Sequence, residues 1–391
     1  MRKVVVAGIG QTAFGKFLDR GVRSLAEEAL REALKDAGID ASRIGAVYFA
    51  NALSGLITGQ ETIRGQVALR YTPLMGTQII NVDNACASGS SAFNLAWLSV
   101  ASGQVDVALA IGAEKLTHQD KAVTFGAFAA GVDVEERKQM MRETPGTHSL
   151  FMDIYAARTK KYMAQSGATA EDFAAVCVKS RYAASLSPWA QFKDQLTVED
   201  VLAARVISGP LTLPMCSPIA DGAAAAILMS VDVANALGRP HVEVRASKIV
   251  SANRDGADPV CAIRAGQQAY EQAGLGPEDI HVAEVHDASA PAEIILYERL
   301  GFAEPNRGVE LLRRGVTSIG GSLPVNPSGG LLSRGHPVGA TGIAQIVELT
   351  TQLRGEAGKR QRHGAKVALA ECSGGEIGAD SALAAVTILA V

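Results

Sequence analysis

The stretch Asn84-Ala85-Cys86-Ala87-Ser88-Gly89-Ser90-Ser91-Ala92 follows a strand-like run over 77–82 and opens a run of small and apolar residues ending near Gly103. A cysteine where a strand turns into a helix meets unpaired backbone N–H groups and the positive end of the helix dipole. Both favour thiolate over thiol. The alternative is a small buried hydrophobe, which most free cysteines are. A second stretch, Gly335-His336-Pro337, sets a histidine before a helix, with Pro337 at the first helical position. His286 closes the apolar run Val282-Ala283-Glu284-Val285, and Cys372 closes Val367-Ala368-Leu369-Ala370-Glu371. Carboxyl ends of strands are where open α/β sheets build sites. Ser373-Gly374-Gly375 then offers backbone N–H groups suited to an oxyanion. Cys177, Cys216 and Cys261 have neither glycine turns nor histidine neighbours and are expected in the core. No cysteine, histidine or carboxylate spacing fits a metal site, and there is no Walker-type phosphate loop.

These residues need elements to hold them. Residues 4–9 form a β-branched strand, whose Gly8-Ile9-Gly10-Gln11-Thr12-Ala13 fits a dinucleotide pattern. That pattern requires a helix to begin within the glycines, whereas helical periodicity starts only after Ser24, a plausible N-cap. A helix over 25–37 stops at Gly38. Strands at 44–50, 77–82 and 105–111 alternate with helices, implying a largely parallel, doubly wound sheet. From about 116 to 207 charged and aromatic residues rise and two amphipathic helices are expected, near 149–166 and 171–185. Strand character returns at 221–229. A strand (241–249), a helix (263–273) and a further strand (282–286) follow.

The second series repeats the first. Ala37-Gly38-Ile39 matches Ala273-Gly274-Leu275, and Cys86-Ala87-Ser88-Gly89-Ser90-Ser91-Ala92 matches His336-Pro337-Val338-Gly339-Ala340-Thr341-Gly342 in residue size. Val107-Ala108-Leu109-Ala110 recurs as Val367-Ala368-Leu369-Ala370, and Asp221 with its alanine-rich strand matches Asp380 with its own. Four landmarks in register indicate an internal duplication. The expected domains are a first half (1–117 with 208–237), an inserted region (118–207) and a second half (238–391). A pseudo-twofold axis would bring equivalent helix starts together, aiming Cys86 and His336 at one site. A cysteine with a partner base makes an activated nucleophile.

With 391 residues, 48% hydrophobic and 20% charged, the chain can bury a two-part core. A net charge of -3 gives no electrostatic case for nucleic acid or a membrane surface. Five scattered cysteines argue for a reducing compartment, with the cytoplasm as default, and no stretch is long enough to span a membrane.

Taken together, Asn84-Ala85-Cys86-Ala87-Ser88-Gly89, Asn326-Pro327-Ser328-Gly329-Gly330, Gly335-His336-Pro337-Val338-Gly339-Ala340-Thr341-Gly342 and Cys372-Ser373-Gly374-Gly375 make the chain resemble the thiolase family. Val285-His286-Asp287-Ala288-Ser289 looks like the H-D-C-F region of the sterol-carrier-protein type. The resemblance implies a five-layered αβαβα fold and acyl-CoA substrates, with coenzyme A as substrate and no permanently bound cofactor. It implies that Cys86 takes the acyl group and that His336 deprotonates it and then helps hold the thioester oxygen. His286 would position a water, backbone N–H groups of Cys86 and Gly374 would form a second oxyanion hole, and Cys372 would move the α-proton. A homodimer or homotetramer is expected. Ala288 and Ser289 replace the Cys and Phe of H-D-C-F, which leaves other readings open. One is different carbon–carbon chemistry, such as acyl transfer to a non-CoA acceptor or retro-aldol cleavage with an accessory protein. The other is a non-catalytic CoA-binding homologue. Arg158, Lys160, Lys161, Lys179 and Arg181 of the inserted region are either phosphate partners or a solvated face.

Overall fold

The computed structural model describes residues 2–143, 150–254 and 257–391. Nine strands among them form one sheet: β1 (Val4–Gln11), β2 (Ala46–Ala50), β3 (Gln78–Val82), β4 (Val107–Glu114), β5 (Gly222–Ser230), β6 (Val242–Ser251), β7 (Val282–Glu284), β8 (Val367–Gly374) and β9 (Leu383–Ala390). Their order is β3-β2-β4-β5-β1-β6-β9-β8-β7. Outward from the β1/β6 junction the same topology occurs twice. In the second half β6, β9, β8 and β7 take the places of β1, β5, β4 and β2. The counterpart of β3 is reduced to one parallel bridge between Ala283 and Val325.

Strand directions repeat as well, and they correct the expectation of a largely parallel sheet. β2 is parallel to β3 and β4, and β7 to β8. However, β5 runs antiparallel to β4 and β1, and β9 antiparallel to β8 and β6. Strands buried on both faces are apolar throughout, so their composition carries no mark of direction.

Seven helices matter for the site: α1 (Val22–Ala37), α2 (Ser88–Ala101), α3 (Leu150–Ser166), α4 (Ala170–Ser185), α5 (Cys261–Ala273), α6 (Ala290–Arg299) and α7 (Thr341–Leu353). Alternation along the strands sorts them into layers. Val5 and Ala7 face α1, whereas Val4 and Val6 face a core shared with α2 and α7. That central core also takes inward residues of the second half, including Ala368, Ala370 and Leu389. The outward residues Leu369, Ala384, Val386 and Ile388 pack with α5. The layers are therefore α1, half-sheet, α2 with α7, half-sheet, α5.

Several local expectations shift by a few residues. The N-cap of α1 is Gly21, and Ser24 instead bonds its hydroxyl back to Gly21 O at 3.1 Å. Gly38 and Gly274 end α1 and α5 with φ of 65° and 67°, so the repeated Ala-Gly pair is one helix stop used twice. Gly8 and Gly10 lie beneath α1. A methyl on Gly10 would come within 2.3 Å of Ala29 O, so these glycines serve strand-to-helix packing rather than a nucleotide. The inserted region carries α3, α4 and shorter helices, and Ser149 lies outside the described residues. No described helix is long and apolar enough to cross a membrane.

The first turns of α2 and α7 approach without side chains between them. A Cβ on Gly342 would sit 2.1 Å from Ser90 Oγ and 2.5 Å from Ser90 N, and one on Gly112 would sit 2.2 Å from Gly339 O. Gly342→Val must part the two helices. Overpacking of this kind costs about 1–3 kcal/mol. Thermal denaturation should show a lowered melting temperature.

Candidate active site

Cys86 stands two residues ahead of α2, after Ala85, which takes a left-handed φ of 50°. The turn is tied by Ser88, whose Oγ accepts from Asn84 N at 2.8 Å and donates to Ala85 O at 2.6 Å. His336 comes from the matching turn of the second half. A 3-10 turn, Val338–Ala340, separates it from α7, so Pro337 precedes that turn rather than opening the α-helix. His336 Nε2 lies 3.3 Å from Cys86 Sγ, and Nδ1 lies 2.7 Å from Thr341 Oγ1. The Thr341 hydroxyl donates its one hydrogen to Pro337 O at 3.1 Å. With its hydrogen so directed, Thr341 Oγ1 accepts from His336 Nδ1–H, and the Nε2 lone pair faces the thiol. A neutral base aimed at a thiol follows from that chain of bonds.

The electrostatics work against the preference for thiolate that a helix start confers. Burial, reinforced by the carboxylates of Glu376 and Glu114, pushes the Cys86 thiol up to about 12. Its own backbone N–H and that of Gly375 act in the opposite direction. The turn's other donors are already used, Ala87 N on Asn84 O and Ser88 N on Ala85 O, so the helix start has few left for sulfur. Burial, with His286 and Arg334 nearby, holds the His336 imidazole well below its ordinary range. Both shifts favour a neutral thiol beside a neutral imidazole.

Cys372 lies inside β8 rather than beyond its end, and its thiol donates to Cys86 O at 3.2 Å. Burial, then Glu371 and Cys86, raise it well above the usual thiol range. His286 follows β7, with its ring 5.4 Å from that of His336 and nearly edge-on at 71°. Its Nε2 is buried without a partner among the described residues, and burial lowers it to about 4. All four residues singled out in the sequence thus meet. The ligand-type atoms of Cys86, His286 and His336 lie within 4.8 Å of one another, a set that a soft metal ion would also accept. Gly374 contributes by lacking a side chain, since a Cβ there would meet Asn84 O at 2.2 Å. The N–H facing the sulfur belongs to Gly375.

Buried carboxylates position these groups, and sequence reasoning missed them. Glu114, at the end of β4, accepts from the N–H groups of Ala52, Leu53 and Ser54 and from Gly339 N at 2.8 Å, joining the two halves beside His336. Glu371 holds His286 N at 3.1 Å and Ser373 Oγ at 2.6 Å. Asp287 takes Leu331 N at 2.7 Å, and Asn326, at φ 55°, accepts from Val285 N at 2.8 Å. The available signal was an acid within an otherwise apolar strand. Thr341 was quoted only as part of a motif.

Of the basic residues in the inserted region, Arg158 pairs with Glu376 at 2.6 Å, Lys179 with Glu293 at 2.5 Å and Arg181 with Asp194 at 2.7 Å. Lys160 and Lys161 are exposed on α3.

Residues 4–232 match the family profile described as "Thiolase, N-terminal domain", and 243–389 match "Thiolase C-terminal domain-like". The chain belongs to the thiolase family and is an acyltransferase. It is 39% identical over 383 residues to an acetyl-CoA acetyltransferase of Methanothermobacter thermautotrophicus, covering 96% of this chain and 97% of that protein. It is 36% identical to the benzoylsuccinyl-CoA thiolase subunit BbsB of Thauera aromatica, over 96% and 95% of the two chains. Human sterol carrier protein 2 is 35% identical, over 94% of this chain and 69% of that one. Among solved structures, the Ltp2-ChsH2(DUF35) aldolase superposes with a TM-score of 0.80 at 25% identity, covering 100% and 98%.

The neutral resting pair has a pH signature. With the Cys86 thiol near 12, the thiolate fraction grows about tenfold per pH unit below that value. Iodoacetamide alkylation of Cys86, followed by peptide mass spectrometry, should keep climbing from pH 6 through 10 without a plateau. An imidazolium–thiolate pair would instead give a flat, fast profile.

Proposed function

We propose that the chain is an acyl-CoA C-acyltransferase that condenses acyl-CoA to 3-ketoacyl-CoA or acetoacetyl-CoA, and cleaves these in reverse, through an acyl thioester on Cys86. The observation that carries this reading is the 3.3 Å contact of His336 Nε2 with Cys86 Sγ, with Nδ1 engaged by Thr341. As Sγ attacks the thioester carbonyl, its proton passes to His336 Nε2, and coenzyme A leaves as thiol with that proton. For the second acyl-CoA, the Cys372 thiol passes its proton to His336 Nε2 and, as thiolate, takes the α-proton; the enolate attacks acyl-Cys86, and the released Cys86 sulfur recovers its proton from His336. The contact of the Cys372 thiol with Cys86 O supports that role, and Ala288 leaves no competing thiol in the H-D-A-S segment. Oxyanion support comes from the unpartnered His286 Nε2, directly or through a water, and from the N–H groups of Cys86 and Gly374, beside that of Gly375, which faces the sulfur.

In this reading 1–117 with 208–237 supplies the nucleophile, 238–391 supplies His286, His336 and Cys372, and 118–207 borders the coenzyme A side. Coenzyme A is a substrate, and the working form is a cytoplasmic homodimer or homotetramer. A second reading draws on two similar proteins, one named as a subunit and one as an aldolase containing a second protein. It is carbon–carbon bond cleavage that requires an accessory protein. Retro-aldol cleavage needs no acyl-cysteine, so activity that requires a partner and survives Cys86→Ala would favour it.

Intact-mass analysis after acetyl-CoA tests the main reading. Wild type and Cys372→Ala should gain one acetyl group, and Cys86→Ala none. Cys372→Ala should also lose acetoacetyl-CoA thiolysis by about 100-fold or more, the usual scale for removing a general acid/base. An adduct that persists in Cys86→Ala would contradict this reading.

A further inference from the structure

A cavity of about 30 Å³ lies beside His286, between α3 and α6. A buried water needs roughly 10–15 Å³ by this measure, so the space suits a carboxylate better than a long alkyl chain. Ile295 and Leu296 form an apolar wall, and Ser289, Ser373, Arg158 and Arg299 form a polar one. Arg158 is already neutralised, with Nη1 and Nη2 at 2.9 and 2.6 Å from the two oxygens of Glu376. Arg299, in the last turn of α6, has no ion pair among the described residues.

The carboxylates that Arg299 feels at longer range are bound elsewhere. Asp380 accepts from Cys261 N at 2.6 Å and Ser381 N at 2.8 Å, and Glu371 from His286 N and Ser373 Oγ. A further polar atom at the cavity waits for a partner: Ser289 Oγ is buried and unsatisfied, on a residue 1% exposed. Arg299 is partly buried, and a buried orphan donor beside it is costly unless a partner completes it.

We propose that this cavity receives the free carboxylate of a dicarboxylic acyl group carried as a CoA thioester, with Arg299 as counter-ion and Ser289 as hydrogen-bond donor. The proposal rests on the acyl-Cys86 reading above. His286 is the wall shared with the reacting groups: it lines the cavity, and its ring lies 5.4 Å from that of His336. The same position that holds a bulky Phe in the resembled motif carries Ser289 here, which makes the wall polar.

The test compares succinyl-CoA with its neutral isostere 4-methylpentanoyl-CoA. Cys86 acylation is followed by intact mass, counting only adducts absent from Cys86→Ala. Wild type should acylate about ten- to hundredfold faster with succinyl-CoA, the range expected for a charge-assisted contact. Arg299→Met should abolish or reverse the ratio, Arg299→Lys should keep part of it, and acetyl-CoA acylation of each variant shows that it is folded. If neither variant folds, the wild-type ratio alone decides. Equal rates in wild type, or an unchanged ratio in folded Arg299→Met, overturn the subsite and leave the acyl-cysteine reading standing. No adduct with any acyl-CoA, acetyl-CoA included, overturns both.

Discussion

At the first turns of α2 and α7 the two halves approach backbone to backbone. Gly89, Gly112, Gly339 and Gly342 leave no room even for a methyl group, and Gly374 brings β8 equally close to Asn84 O. Two copies of one turn are thereby pressed together, one carrying Cys86 and the other His336 at the matching position. The 3.3 Å sulfur–nitrogen contact follows from that approach. Elsewhere in the fold, Glu114 spans the same junction and holds Gly339 N from the first half.

Such close packing excludes water, and the electrostatics of the site follow. Carboxylates at the strand ends are held by backbone N–H groups rather than by solvent. Burial disfavours the ionic forms of both Cys86 and His336. A neutral pair is compatible with chemistry when the proton moves as the carbon–sulfur bond forms. Thr341 then has a definite task, since its hydrogen bond to Nδ1 keeps the lone pair of Nε2 on the thiol side. Orientation rather than a standing charge is what the protein supplies.

Much of this was legible in the chain itself. The small residues after Cys86, the Gly-His-Pro turn and the repeated Ala-Gly helix stops are local features whose chemistry survives into the fold. They were enough to bring Cys86, His286, His336 and Cys372 together before any coordinates. Strand direction was not legible, because β5 and β9 are alanine-rich and buried on both faces. Nor was the protonation state of Cys86, which depends on Glu376 and Glu114 arriving from distant segments. The basic residues of the inserted region could not be sorted from sequence, since the partners Glu376 and Glu293 lie more than a hundred positions from Arg158 and Lys179.

The central claim is that a neutral imidazole presents the Nε2 lone pair of His336 to a protonated Cys86. Nitrogen-15 NMR of histidine-labelled protein reads this directly, with the His336 signals assigned by their loss in His336→Asn. The account predicts two distinct ring nitrogens at pH 7, Nδ1 protonated and Nε2 bare. A doubly protonated ring, or a proton on Nε2 with Nδ1 bare, would contradict it.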